Sequence, residues 1–441
     1  MKFTYTQVIV ACFFALIFLG GFLLCLPVAS KTGEWTVFID AVFTAASALC
    51  VTGLIVFDTW THWSLFGQVV ILLLIQTGGI GFMTVITIFS IYLKRTIGLH
   101  ERQLLTQSTG LLQLGGVVRL IKKIVKIVIA FELIGAVILA VRFCPQMGFG
   151  TGLWNAVFHS ISAFCNAGFD LMGKYGAFSS LTGYVNDFTV SLTIAALIVA
   201  GGIGFAVLDD MLFFRWRFHK YALNSKIALS VTGMLIVGGC LLFYLFEYNG
   251  LMKEFTVGEK IVASLFQSVS PRTAGFNSID LAGLTEASVL LTIVLMIIGG
   301  SSGSTAGGIK TSTLAILIFN AFNSIRKTHS MVAFKRRLDD KTAKRAAAIV
   351  TIYLFAILAA SIILCAVEEC TMKEALFETA SALGTVGLTL GITASLGVTG
   401  KIVLITLMFA GRVGWITLLL ALARKRFDPP MERPAEKILI G

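Results

Sequence analysis

Long apolar runs alternate with short polar segments from one end of the chain to the other. The long runs occupy about 6–28, 65–93, 122–143, 185–214, 226–247, 287–325, 346–367 and 398–423. About 20 consecutive apolar residues suffice for a helix to cross a bilayer, so each run predicts a spanning helix and the set predicts eight. Between the two members of each pair lies a shorter amphipathic stretch, at 36–48, 152–164, 258–270 and 372–383. At about 1.5 Å per residue such a stretch reaches roughly two-thirds of the way across the hydrocarbon core. It predicts a re-entrant helix that stops inside the membrane.

The short stretches share a spelling. AVFTAAS, AVFHSIS, SLFQSVS and ALFETAS place Phe43, Phe158, Phe266 and Phe377 four residues before Ser47, Ser162, Ser270 and Ser381. A glycine follows each serine by five or six residues: Gly53, Gly168, Gly275 and Gly387. Further on come GGIGF at 78–82, GGIGF at 201–205, GGSSG at 299–303 and GRVGW at 411–415. Four ordered landmarks in four copies identify one degenerate unit of roughly 110 residues. The predicted fold is an all-α membrane protein of four parallel repeats around a central pore, each a spanning helix, a pore helix and a second spanning helix. The units divide at 1–98, 99–215, 216–328 and 329–441, the last with a C-terminal tail.

Composition agrees: 57% of residues are apolar and 13% charged, too few charges to cover a soluble surface. The net charge of +12 does not point to nucleic acid, because the basic residues sit in short loops between apolar runs. Of the 35 basic residues, 25 fall on one side of the predicted topology, in the segments joining one unit to the next and at the two ends. That side is expected to be cytoplasmic, with both termini on it. The first run follows Lys2 but is too long for the apolar region of a signal peptide. The eight cysteines show no CxxC pair and read as small apolar residues, and the five histidines have no zinc spacing. No metal site, cofactor or nucleic-acid partner is predicted. No serine–histidine–aspartate or paired-carboxylate arrangement falls at one depth, so an enzyme is not expected.

Non-helical backbone at membrane depth is tolerated where its carbonyls line a polar path. Four such segments around an axis would give rings of carbonyl oxygen able to replace a cation's hydration shell. Glycine would let those carbonyls turn toward the axis. The predicted filter comprises Cys50, Val51, Thr52 and Gly53; Asn166, Ala167 and Gly168; Thr273, Ala274 and Gly275; and Thr385, Val386 and Gly387. Pore helices ending at the axis would add partly negative ends that favour a cation. For Gly78, Gly79, Gly81 and their counterparts, close helix packing is the expected role.

The third unit breaks its own pattern with GGSSGSTAGGIKTST at 299–313. Gly299, Gly300, Ser301, Ser302, Gly303, Ser304, Thr305, Ala306, Gly307 and Gly308 form a run in which helix is weak, since glycine costs about 1 kcal/mol relative to alanine. Ile309 separates Gly308 from Lys310, so a phosphate-binding loop is not spelled. A polar intramembrane loop over 299–310 reads as a gate, while the other three units are expected to continue as apolar helix at this depth. Two cations lie there as well. Lys310 either serves the loop or extends to the cytoplasm. Arg412, which aligns with Gly79, Gly202 and Gly300, must face a polar interior. Its open alternatives are pairing with Glu132 and extension to the membrane surface.

Four such units, one glycine per filter segment and the PRTAGF string at 271–276 resemble the Trk/Ktr/HKT superfamily of potassium transporters. The resemblance covers essentially the whole chain and is strongest to the membrane subunit of the bacterial Ktr system, because the chain begins directly with the first repeat and ends in AEKILIG. It implies potassium uptake across a bacterial cytoplasmic membrane, with potassium in the filter and sodium as activator. It also implies that Arg412 contacts the 299–310 loop, that the protein is a homodimer in membrane lipid, and that a cytoplasmic ring of RCK/KTN-type nucleotide-binding regulatory subunits docks on it. ATP or ADP would then bind the ring. Gly53 stands where some sodium-selective plant members carry serine. A sodium-selective or non-selective cation channel, or a secondary carrier, is the alternative.

Overall fold

The structure, a computed structural model, describes residues 5–81, 117–215, 217–326, 331–334, 336–415 and 418. The expected unit boundaries at 98/99 and 328/329, the residues Lys94, Arg95, Arg102 and Lys335, and the C-terminal tail lie outside these.

One order of elements recurs four times. The first unit has α1 (Tyr5–Cys25), α2 (Phe38–Cys50) and α3 (Leu65–Ile80). The second has α4 (Val117–Met147), α5 (Phe149–Phe164), α6 (Phe188–Ile203) and α7 (Phe205–Phe214). The third has α8 (Leu223–Glu247), α9 (Val257–Val269), α10 (Glu286–Ile297) and α11 (Thr311–Arg326). The fourth has α12 (Asp340–Val367), α13 (Met372–Gly384) and α14 (Val398–Val413). The only strands among the described residues are β1 (Val332–Ala333) and β2 (Arg336–Arg337), paired antiparallel.

Four stretches are long and apolar enough to cross a membrane: Gln7–Cys25, Ile121–Met147, Leu223–Glu247 and Thr342–Val367. Their outward faces carry exposed large apolar side chains such as Phe14, Val141, Val237 and Phe355, while Ser47, Ser162, Ser270 and Ser381 are fully buried. An apolar exterior around a polar centre is the burial pattern of a protein whose solvent is lipid. The chain is a mostly helical, multi-pass membrane protein.

Local chemistry fixes where the short helices begin. Thr256 caps α9 in a reciprocal box with Glu259, and Thr371 caps α13 in the same way with Glu374. Each box satisfies two backbone N–H groups that would otherwise lack partners.

The closing runs differ from expectation. In the first, second and fourth units the helix ends inside the GGIGF and GRVGW motifs. It stops at Gly81 (φ 89°), Gly204 (φ 106°) and Gly414 (φ 89°), the last glycine of each motif. A positive φ is open to glycine and incompatible with a right-handed helix. At Gly204 the chain resumes as α7, turned by 100° from α6. In the third unit, the stretch between α10 and α11 is the glycine–serine loop.

Candidate functional site

Past each short helix the chain leaves helical geometry in the same way four times. Val51, Asn166, Thr273 and Thr385 have φ between 51° and 71°, and two residues later Gly53, Gly168, Gly275 and Gly387 have φ between 72° and 95°. Left-handed backbone costs a non-glycine residue about 1–2 kcal/mol, and two of these four are threonine and one valine. Local bonds hold it. The N–H groups of Thr52, Ala167 and Val386 donate to the carbonyls of Ser47, Ser162 and Ser381 at 2.8 Å, and Ala274 N–H donates to Ser270 at 2.9 Å. The serine hydroxyls act too. Ser47 and Ser381 accept from the Gly53 and Gly387 N–H at 3.0 and 3.1 Å, while Ser162 and Ser270 donate to the carbonyls of Phe169 and Phe276. The repeated serine therefore clamps the segment that follows its helix. Of the expected filter residues, Cys50 differs: it is the last residue of α2, still helical.

The four segments close into a ring. A Cβ on Gly53 would sit 2.5 Å from the Ala167 carbonyl oxygen, and one on Gly168 would sit 2.8 Å from that of Ala274. One on Gly275 would overlap the Val386 carbonyl, and one on Gly387 the Thr52 carbonyl, returning to the start. Each carbonyl preceding a glycine thus abuts the glycine of the neighbouring segment, in cyclic order. The hydroxyls of Thr52 and Thr385 are buried in this ring without a hydrogen-bond partner. Lys401 and Asp40, paired at 2.6 Å and nearly buried, join the fourth unit to the first.

The glycine–serine loop lies against the ends of the short helices. Its two limbs are tied together: Ser301 and Thr311 hydroxyls lie 2.9 Å apart, as do those of Ser302 and Ser312, and Thr311 N–H donates to Gly300. Gly299 packs on Gly307, and a side chain at Gly307 would overlap Thr385 in the ring. Thr305 Oγ1 reaches the Phe164 carbonyl at 3.3 Å, and the Asn166 amide lies 3.2 Å from Thr273. Gly303 and Gly308 take φ of 71° and 66°. Ser304 donates to the Ser301 carbonyl at 2.6 Å, which shapes the tip. Lys310 does not extend away. Its Nζ donates to Ala306 at 2.6 Å and to Gly307 at 3.3 Å.

The helix breaks supply what the loop binds. Ending α6 at Gly204 frees the carbonyls of Gly201 and Gly202, which accept from Thr305 and Ser301 N–H at 3.3 and 2.9 Å. Ending α3 at Gly81 frees those of Gly78 and Gly79, and these accept from Arg412. Arg412 also donates to the Thr305 carbonyl. One guanidinium thus bonds to three carbonyls from two other units, at a helix C-terminus whose partial negative charge favours it. Glu132 is not its partner. That carboxylate accepts from Gln76 at 3.2 Å and lies near the Cys165 thiol. Gly78, Gly201 and Gly411 pack as expected: a Cβ on each would overlap the carbonyls of Leu49, Phe164 and Leu383 at the short-helix ends.

Sequence reasoning missed three groups. The positive-φ residue two before each ring glycine carries no compositional signal, because valine and threonine disfavour it. The breaks at Gly81, Gly204 and Gly414 had one, a glycine three residues after the first in each of the three motifs. The Asp40–Lys401 pair joins residues too far apart in sequence for any spacing rule.

Comparison with known proteins places this membrane-embedded helical protein in a class, proteins that move cations. The TrkH family, described as cation transport protein, matches residues 4–428, and the chain belongs to it. It is 42% identical to the potassium/sodium uptake protein NtpJ of Enterococcus hirae, covering 99% of this chain and 97% of that one. It is 41% identical to the Ktr system potassium uptake protein B of Bacillus subtilis, covering 96% and 94%. The crystal structure of the potassium transporter TrkH from Vibrio parahaemolyticus shares the fold with a TM-score of 0.75 at 18% identity, covering 95% of this chain and 84% of that one. The protein is a membrane transporter and not an enzyme.

Proposed function

We propose that this chain takes up potassium across the cytoplasmic membrane through the four-segment ring. The observation that carries the reading is the cyclic closure of Gly53, Gly168, Gly275 and Gly387, each against the carbonyl of its neighbour. Backbone carbonyls held by buried serines make a rigid oxygen cage, the kind of site that exchanges for a cation's water shell. The names of the relatives at 42% and 41% identity support potassium as the cargo. Eight spans, two per unit around a short pore helix, suit the recurring element order, with both termini cytoplasmic by the distribution of basic residues. The loop 299–310, fastened by Arg412, is the gate, since it lies against the pore-helix ends and Thr305 reaches Asn166 of the ring. External sodium activates, and a cytoplasmic ring of nucleotide-binding subunits controls opening of a homodimer. The test is potassium uptake in a cell lacking its own potassium uptake, with and without external sodium. Uptake no greater than that of the empty cell, or sodium and rubidium transported equally well, overturns it.

A further inference from the structure

The chain turns by 100° at Gly204 into α7, and the far end of α7 is unusual. Val207 is buried with Ala228 of α8 and Leu208 is buried too, whereas Met211, Leu212 and Phe213 are 39%, 57% and 73% exposed. Directly after them a cavity of about 470 Å³ is lined by Phe213, Phe214, Arg215, Arg217 and Lys220. The nearby acids are engaged elsewhere. Asp209 pairs with Lys123, and Asp210 accepts from Ala222 N–H at 3.0 Å and Ser225 Oγ at 2.6 Å. Among the described residues, no carboxylate lies within ion-pair distance of Arg215, Arg217 or Lys220. Three unpaired cations therefore border an exposed apolar helix end at the side of the protein where its basic residues concentrate. A short helix bent 100° from the apolar helix before it, with exposed apolar side chains followed by cations, matches the chemistry of the boundary between acyl chains and headgroups.

We propose that this cavity binds the phosphate of an anionic phospholipid, with Met211, Leu212 and Phe213 seated among its acyl chains. The site is joined to the loop 299–310: the first N–H of α7, that of Phe205, donates to the Gly303 carbonyl at 2.8 Å. A lipid that fixes one end of this 10-residue helix restrains the loop at the other end. That coupling rests on the gate reading of the previous subsection, whereas the lipid site does not.

The experiment uses the full chain and native mass spectrometry, with phosphatidylglycerol titrated against excess phosphatidylcholine. The Arg215→Gln, Arg217→Gln, Lys220→Gln triple variant should bind phosphatidylglycerol more weakly by about fivefold per cation and on the order of 100-fold in all. The charge-preserving variant, Arg215→Lys, Arg217→Lys, Lys220→Arg, should bind within a few-fold of the original. In vesicles, potassium flux of the original chain should change with phosphatidylglycerol content, and that of the Gln variant should not. Equal phosphatidylglycerol binding by the original and Gln variants overturns the site. So does displacement of the lipid from the original chain by inorganic phosphate alone, a test that needs no variant. If the substitutions abolish only the docking of a soluble protein partner, the cations belong to a protein interface and the lipid proposal falls. Lost binding with unaltered flux overturns the coupling to the loop.

Discussion

Alanine substitution at the four ring glycines should impair potassium selectivity in a graded order that the structure sets. All four have positive φ, between 72° and 95°, so each alanine meets a backbone cost of about 1–2 kcal/mol. The second cost differs from site to site. At Gly168 the new Cβ sits 2.8 Å from the Ala274 carbonyl oxygen, and at Gly53 it sits 2.5 Å from that of Ala167. At Gly275 and Gly387 the overlap with the next carbonyl is greater, and greatest at Gly387. Relief of that overlap must displace a carbonyl of the ring, which is the group proposed to meet the ion. If the 1–2 kcal/mol appears as lost discrimination, the potassium preference over sodium should fall roughly 5- to 30-fold. The loss should be smallest for Gly168→Ala and largest for Gly387→Ala. The assay is rubidium uptake with increasing external sodium in potassium-uptake-deficient cells, with surface expression measured in parallel. Unchanged competition in all four variants, or Gly168→Ala impaired more than Gly387→Ala, would refute the reasoning.

Arg412→Ala should raise the maximal uptake rate and leave ion preference intact. If parting one charge-assisted bond, about 1.5 kcal/mol, is part of the opening barrier, the gain is on the order of tenfold; abolished uptake by an inserted variant would contradict the gate. Lys401→Met leaves Asp40 nearly buried without its partner and should cost about 3 kcal/mol, read as a lower melting temperature in detergent, with Asp40→Asn added to it restoring part of the loss. Truncation after Phe427 should loosen the homodimer, and a mass measurement showing a stable monomer for the full chain would contradict the dimer itself.

The parts of this fold that were legible in the sequence are those where one residue type has one physical use. The buried serine and the ring glycine recur because a helix end must be clamped and the backbone after it must turn, and both needs leave a spelling. Arg412 was legible for a similar reason: a guanidinium at membrane depth must find oxygen. Its partners were not. They are backbone carbonyls, two freed by the helix break at Gly81 and one in the glycine–serine loop, and a carbonyl looks the same in every residue. The breaks themselves were hidden by hydropathy, since an apolar run reads as continuous whether or not φ changes sign within it. Val51, Thr273 and Thr385 go further, holding a conformation against their own preference because the preceding helix turn supplies the bonds.

All four quarters of the ring lie on one polypeptide, and this has a genetic consequence. In an assembly of four identical subunits, any substitution is copied to every quarter, so the smallest heritable step is a fourfold one. Here a single codon alters one wall and spares three. One quarter has become a glycine–serine loop, another has exchanged a glycine for Arg412, and a third bends away as α7, while each keeps its clamped segment. Selection could thus divide labour among the quarters, altering one wall of the ring while the other three stay as they are.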